Sequence, residues 1–321
     1  MLDLCLSERR EERKMKKRNR VIASGLVLML MMNMALTATA VRSYASTDVV
    51  PYISFGADLK DAEKKTVMKL LEVSSDELAD YKVIESTNEE EHKYLDKYID
   101  SSVIGSRALS SVKIEENGDN DGINVTTKNI NFCTEAMYVN ALSTAGISDA
   151  EVTVAGPFPL SGTAALVGAI KAYSEMHDET VDEEKMDAAV DELVTTGDMI
   201  DSMGSEKAAQ LMAVIKDAVV KGNLETDEDI LKAIDDGAKK LDITLTDDER
   251  QKILSVMKKI GDLDLDISDL EKSAQKVYDA IASSGITLDD AKNWFEKIFG
   301  GIGDFFGNIF SSIGDFFKNL F

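Results

Sequence analysis

Residues 151–176, EVTVAGPFPLSGTAALVGAIKAYSEM, contain the transition that decides the fold. Residues 151–155 alternate polar and apolar side chains, as a half-buried strand does, and the prolines at 157 and 159 then end that strand. We expect Ser161 to cap a helix over residues 162–176, whose small side chains suit close packing. A strand that leads directly into such a helix indicates a sheet with helices packed against it.

The preceding residues show the same alternation of strands and helices. Strand patterns occur at residues 49–55, 81–85, 112–116 and 123–127, and helix patterns at 58–72, 88–99 and 134–144. We expect Asp58 and Asn88 to cap the first two helices, and Gly146 to close the third. The Asn117–Gly122 stretch, NGDNDG, has the composition of a hairpin turn. These patterns predict an α+β or mixed α/β domain over residues 46–178.

Strand patterns stop after this domain, and acidic helices follow. Helix starts are expected at Thr226, Thr246, Ser268 and Thr287, with capping boxes at Thr246/Glu249 and Ser268/Glu271. Gly222 and Gly285 stand where helices end. The pattern predicts an all-helical acidic domain over residues 179–285. Its acidic first turns suit the helix dipole.

The N-terminus has the order of a secretory signal. Basic residues at 16–20 precede an apolar run over 21–36, and small-x-small sites follow at 38–40 and 43–45. We predict cleavage after Ala45, with residues 1–14 a polar extension. The alternative is an uncleaved anchor, since residues 21–41 are just long enough to span a bilayer. Either way, we expect the protein to lie outside the cytoplasmic membrane.

The charge balance narrows the possible partners. The chain has a formal net charge of −23, and the segment up to Ala45 holds nine basic and four acidic residues. Removing it leaves a net charge of about −28, which repels phosphate backbones, so we expect no nucleic-acid partner. Cys133 would then be the only thiol, and we expect it to be a buried side chain at a helix start.

A family resemblance rests on two stretches. The turn at residues 157–165, PFPLSGTAA, and the helix at residues 131–146, NFCTEAMYVNALSTAG, resemble the bacterial family named domain of unknown function 1002. The leading signal is similar too. The resemblance implies an exported protein, chiefly of Gram-positive bacteria, and it carries no characterised activity or catalytic residues.

Sequence motifs for metals and cofactors are incomplete. Asn117, Asp119, Asp121 and Gly122 match the start of a calcium loop, but Lys128 stands where a bidentate Glu is needed. The acidic residues between Asp262 and Glu271 lack a glycine at the sharp turn and are better explained as a linker and helix cap. There is no Walker loop, dinucleotide fingerprint or His-Glu-x-x-His motif. We therefore expect no metal, no cofactor and no assignable catalytic residue.

The C-terminus, residues 286–321, has the strongest amphipathic pattern. An aromatic-rich unit recurs every 11 residues, and at 100° per residue its apolar positions all fall on one half of a helix. Five glycines make such a helix marginal by itself in water, which favours ordering on a membrane or a partner. The predicted contact face comprises Trp294, Phe295, Ile298, Phe299, Ile302, Phe305, Phe306, Ile309, Phe310, Ile313, Phe316, Phe317, Leu320 and Phe321.

Three functional hypotheses follow from these patterns. The leading one is a non-enzymatic protein of the cell envelope whose tail binds a membrane surface or a hydrophobic partner. The second is an exported enzyme whose site lies around residues 157–163. The third is a protein that self-associates through the tail.

Overall fold

The computed structural model describes residues 49–118 and 121–283, and its centre is a five-stranded sheet. The strands lie in the order β2-β1-β3-β5-β4. Each strand lies within a few residues of a predicted one. The strands are β1 (Tyr52–Gly56), β2 (Lys82–Ser86), β3 (Ser111–Glu116), β4 (Ile123–Ile130) and β5 (Ala150–Leu160).

The strand pairing makes the sheet mixed. β1 pairs with β2, and β4 with β5, in parallel, whereas β3 is antiparallel to both β1 and β5. Val112 lies opposite Val154, and Ile114 lies opposite Val152, so these buried side chains form one apolar row across β3 and β5. A mixed sheet covered by helices is an α+β fold, which confirms the predicted fold class.

The predicted hairpin between β3 and β4 is wrong. β5 lies between these two strands and pairs with both, although the NGDNDG stretch still connects them. The connection therefore crosses two strand spacings, about 10 Å, rather than one. The composition of the turn correctly indicated that the chain reverses direction between β3 and β4. It carries no information about β5, which comes later in the sequence and lies between these two strands.

The end of β5 also differs from the prediction. The strand continues through Pro157 and Pro159 to Leu160 instead of ending before them. Pairing with β3 stops at Ala155, and pairing with β4 shifts register between Lys128 and Ile130. Proline is tolerated at positions 157 and 159 because this end of β5 is no longer paired on both sides, so fewer of its backbone N–H groups are needed for hydrogen bonds between strands.

Helices cover the sheet and extend beyond it. A short 3₁₀ turn spans Glu77–Asp80. The helices between the strands are α1 (Asp61–Leu70), α2 (Asn88–Leu95), α3 (Ser101–Ile104) and α4 (Glu135–Thr144), and α5 (Thr163–Met176) follows the last strand. After α5 the described chain is helical, as predicted. It comprises α6 (Glu183–Asp198), α7 (Ile200–Met203), α8 (Ser205–Gly222), α9 (Asp227–Lys240), α10 (Asp247–Gly261) and α11 (Ile267–Ser283).

The small residues of α5 allow it to approach the sheet closely. A Cβ at Gly168 would lie 2.5 Å from the Ser86 hydroxyl and 2.6 Å from the Ser54 hydroxyl, so a larger residue does not fit. These two hydroxyls, on β2 and β1, are hydrogen-bonded to each other at 2.7 Å. The opposite side of β1 packs Ile53 and Phe55 against α1. β1 is consequently buried on both faces.

A buried ion pair connects the sheet region to the later helices. Lys216 of α8 lies 3.0 Å from the Glu192 carboxylate of α6, and both side chains are at most 4% exposed. The Lys216 ammonium also donates to the Asn140 carbonyl and to the hydroxyls of Ser143 and Thr144 on α4. The boundary proposed at residue 178 falls between α5 and α6, and the division into two domains stays a prediction.

Helix caps were predicted with mixed success. The Thr246/Glu249 capping box and the Thr226 cap are confirmed. At the start of α11, however, the Asp266 carboxylate accepts hydrogen bonds from the N–H groups of Ser268 and Asp269. The predicted Ser268/Glu271 capping box is therefore wrong. Thr287 and Gly285 lie outside the described residues.

Two further cap predictions fail in the sheet region. Thr87, one residue before Asn88, caps α2 and forms a capping box with Glu90. The Asp58 carboxylate instead accepts a hydrogen bond from the Ala108 N–H, so it ties the chain before α1 to the segment before β3.

Candidate functional site

The predicted membrane or partner face, Trp294 to Phe321, lies outside the described residues, as do residues 1–45. The sequence position that can be compared with the structure is the turn at residues 157–163, where the second hypothesis placed a site. In the structure these residues form the end of β5 and its short connection to α5, and two cavities adjoin them.

Gly162, not Ser161, forms the N-cap of α5. Gly162 has a φ of +99°, and a Cβ there would lie 2.5 Å from the Tyr138 hydroxyl oxygen. Tyr138 donates a hydrogen bond to the Gly162 carbonyl at 2.6 Å, and the Cys133 N–H donates to the Ser161 carbonyl at 3.1 Å. The predicted Ser161 cap is therefore wrong. The Ser161 hydroxyl instead lies 3.2 Å from the Thr163 hydroxyl.

Glu91 is the residue of this region that sequence reasoning missed. It lies in the acidic first turn of α2, yet it is only 3% exposed. Thr163 donates a hydrogen bond to its Oε1 at 2.5 Å. Its Oε2 is buried and has no partner within hydrogen-bond distance among the described residues, although the nearby Asn88 side chain partly stabilises the charged form. Burial raises the pKa of the Glu91 carboxyl, because the charged form loses its hydration.

A cavity of about 380 Å³ adjoins this carboxyl. Its wall combines the Glu91 side chain, the serines at 106, 110 and 161, and apolar residues including Ile104 and Leu160. Arg107 also lines the cavity, but its guanidinium donates to the Asp58 carbonyl and to the Glu63 carboxylate. The cavity thus offers one carboxyl, several hydroxyls and an arginine that already has two acceptors.

A second cavity, of about 420 Å³, adjoins the first at Ile104 and Ser161. Tyr98, Ile99, Phe132 and Val194 make its wall largely apolar. The two cavities share Ile104 and Ser161 as wall residues, which places the β5–α5 turn between a polar and an apolar compartment.

Among the described residues, the groups near the turn do not form a nucleophile–base pair of the Ser–His or Cys–His kind. His92 is held by the Asp96 carboxylate at 2.7 Å and the Gly105 carbonyl at 2.9 Å, so neither ring nitrogen is directed at a serine. Cys133 is buried, as predicted, and burial raises the pKa of its thiol, which disfavours the reactive thiolate. Neither His92 nor Cys133 is therefore placed to pair with Ser161 as base and nucleophile.

Potential metal ligands do not cluster in the described part of the chain. Residues 49–118 and 121–283 contain no group of three or more His, Cys, Asp or Glu side chains that could hold a metal ion. Asn117, which matches the first position of an incomplete calcium loop, donates its amide to the Gly122 carbonyl at 2.7 Å, as a turn residue does. Asp119 lies outside the described residues.

Comparison with known proteins identifies the family. The model of a family described as "Protein of unknown function (DUF1002)" matches residues 55–277. The chain belongs to this family. The resemblance carried by residues 157–165 and 131–146 is thereby confirmed. The matched range of the DUF1002 family covers the end of β1, β2 to β5, α1 to α10 and most of α11.

A curated relative supports the same assignment. The chain is similar to "Uncharacterized protein YpuA" of Bacillus subtilis (strain 168), with 38% identity over 287 residues, which is 89% of this chain and 93% of the relative. No solved structure matches the chain significantly. Within the part of this DUF1002 chain that the structure describes, no helix combines the length and apolarity needed to cross a bilayer.

Proposed function

We propose that this DUF1002 protein is an exported protein of the cell envelope, held at the membrane surface by residues 286–321. The observation that carries the proposal is the aromatic unit at 11-residue spacing, which gathers the fourteen apolar positions from Trp294 to Phe321 on one half of a helix. The secretory pattern that ends at Ala45 supports delivery to this location.

The folded region supports the proposal because it offers few other apolar contacts at its surface. Among the described residues, the large hydrophobic side chains that are exposed are Val50, Val83, Phe158 and Ile267, each about 45% exposed or less. They belong to four different segments: the approach to β1, then β2, β5 and the start of α11. Scattered single side chains of this kind are normal on soluble surfaces and do not bind membranes by themselves.

The charges of the tail determine which force binds it. From residue 286 onward the chain has three lysines and five acidic residues. A net negative segment gains nothing from anionic lipid, so burial of the aromatic face must supply the binding energy. Binding should therefore persist at high salt and be no stronger on anionic than on zwitterionic vesicles.

Co-sedimentation with lipid vesicles tests the proposal. We expect the mature protein, which begins at Ser46, to sediment with phosphatidylcholine vesicles, and the same chain ending at Gly285 to stay in the supernatant. The double substitution Phe305→Asp and Phe306→Asp places two charges in the apolar face and should also release the protein. The matched control, Asn308→Asp with Ser311→Asp, adds the same charge to the polar face and should still bind.

Equal sedimentation of the intact and shortened chains would refute membrane binding through the tail. If the intact chain instead forms larger species as its concentration rises without lipid, the tail serves self-association. N-terminal sequencing of the native protein tests export, because cleavage after Ala45 predicts Ser46 as the first residue of the mature chain.

A further inference from the structure

The Glu91 carboxyl differs from the buried carboxyls of α6 because no lysine or arginine among the described residues pairs with it. Its charged neighbours are His92, which favours the charged form of Glu91, and Asp58, which opposes it. Glu192 is paired with Lys216 and Asp191 with Lys259. In the described part of the chain, no lysine or arginine is within salt-bridge distance of Glu91, and its Oε2 has no hydrogen bond. A desolvated carboxyl without a partner is unfavourable in its charged form.

The remaining wall of the polar cavity supplies hydrogen-bond acceptors. Ser106 and Ser161 line it and carry hydroxyl groups, and its apolar residues Ile104, Leu109 and Leu160 can contact a short hydrocarbon chain. An anionic ligand would be repelled by the Glu91 carboxylate. Arg107 would not offset this repulsion, because its guanidinium is already bonded to Glu63 and the Asp58 carbonyl. A neutral ligand would leave the carboxyl without a counter-charge. An ammonium group has three donors and the missing positive charge.

We propose that this cavity binds the ammonium group of a small aliphatic amine, with Glu91 as its counter-ion and the hydroxyls of Ser106 and Ser161 as further acceptors. The volume of about 380 Å³ is within the usual range for a small-molecule site. The chain's net charge of −23 raises the local concentration of cations around it. The residues that form this site all belong to the described part of the chain.

Binding at this site is coupled to proton release. Because burial raises the pKa of Glu91, the empty protein keeps a proton on this carboxyl up to a higher pH than an exposed glutamate does. The ammonium ion favours the charged carboxylate and expels that proton. The affinity for an amine should therefore increase as the pH rises through the Glu91 pKa, and then level off where the carboxyl is already ionised.

An NMR titration of the full-length protein with n-propylammonium chloride tests the site. We expect saturable amide shifts at residues that surround the cavity, such as Glu91, Gly105 and Ala164, with an affinity that rises with pH. n-Propanol and sodium propionate have the same chain length without the ammonium charge, and we expect each to bind at least about tenfold more weakly.

Two substitutions distinguish the carboxyl from its surroundings. Glu91→Gln keeps the size of the side chain but removes the charge, and it should weaken n-propylammonium binding at least about tenfold and abolish the pH dependence. Glu89→Gln makes the same change at an exposed position of the same helix and should bind as the unmodified protein does. Ser106→Trp fills the cavity from its exposed wall and should abolish binding.

Unchanged binding in Glu91→Gln, or equal binding of n-propanol, would overturn the proposal, and the second result would indicate a site for neutral hydroxyl compounds. If Glu91→Gln does not fold, Ser106→Trp decides: undiminished binding in that variant shows that the amine binds elsewhere. Absence of saturable shifts with n-propylammonium in the folded protein also overturns it.

Discussion

The buried Lys216–Glu192 pair gives a quantitative test of how the later helices are held to the sheet region. Replacing Lys216 by Met removes the ammonium group that lies 3.0 Å from the Glu192 carboxylate and donates to three groups of α4. Glu192, which is 0% exposed, would keep only the hydrogen bond from the Thr144 hydroxyl. Leaving one charge of a buried pair without its partner costs about 3–5 kcal/mol of unfolding free energy.

Replacing both partners should restore most of this loss. In Lys216→Met with Glu192→Leu, no charge remains in the buried space, and apolar side chains of similar size fill it. Such replacements of whole buried pairs are about neutral, or stabilising by about 1–4 kcal/mol. The double variant should therefore unfold at a higher urea concentration than Lys216→Met alone.

Urea unfolding followed by circular dichroism measures these differences, provided that the slope with denaturant does not change between variants. Lys252→Met is the matched control, because Lys252 is 44% exposed and its ion pair with Asp198 lies at the surface. Its loss should cost at most about 1 kcal/mol. The reasoning fails if Lys216→Met costs no more than Lys252→Met, or if the double variant is less stable than either single variant.

Three further predictions concern the β5–α5 turn and its surroundings. The Asp96 carboxylate, and to a lesser extent the Gly105 carbonyl, raise the pKa of His92 above its usual value of 6.5. The stability that this contact contributes is therefore complete below pH 6.5 and is lost as the pH rises through the raised pKa of the folded protein. NMR titration should show this raised midpoint, and Asp96→Asn should lower it. Cys133, 2% exposed, should react with a thiol reagent only after unfolding, and equally fast reaction of the folded protein would contradict its burial. Gly162→Ala should destabilise the protein by about 1–3 kcal/mol in urea unfolding, because φ is +99° and the added Cβ meets Tyr138; a neutral effect would refute this.

Local features of the sheet region were predictable from sequence. Alternating side chains identified the strands, and the Thr246/Glu249 box identified a helix start, because both depend on neighbours within a few residues. The position of β5 between β3 and β4 was not predictable in this way. It depends on pairing residues such as Val112 and Val154, which are far apart in the chain.

Glu91 shows why the candidate site was missed. It follows Glu89 and Glu90 in a first helical turn, where acidic residues are explained by the helix dipole. The one local signal is its spacing from Tyr94 and Leu95, which lie three and four positions later and are both buried. Only the tertiary contact with Thr163 of α5 shows that this glutamate faces inward.

Ser161 was assigned the wrong role for a related reason. A serine two residues before a helix satisfies the usual capping pattern, but the glycine that follows it adopts a positive φ and takes the cap position. The serine hydroxyl therefore remains beside the cavity that Glu91 also lines.

Glu91 and Glu192 together allow the role of the missing cation to be tested within one molecule. Burial raises the pKa of both carboxyls, but only Glu192 has a lysine that opposes the effect. Lys216→Met removes that opposition and gives Glu192 the environment that Glu91 already has. The folded-state pKa of Glu192 should then rise further, so the variant gains stability relative to the unmodified protein as pH falls through that value and loses it as pH rises. The difference in unfolding free energy between the two proteins should thus be smaller at mildly acidic pH than near neutrality. A difference that does not change with pH would show that Glu192 keeps its ordinary ionisation without the lysine, and it would remove the physical basis for assigning Glu91 a cationic ligand.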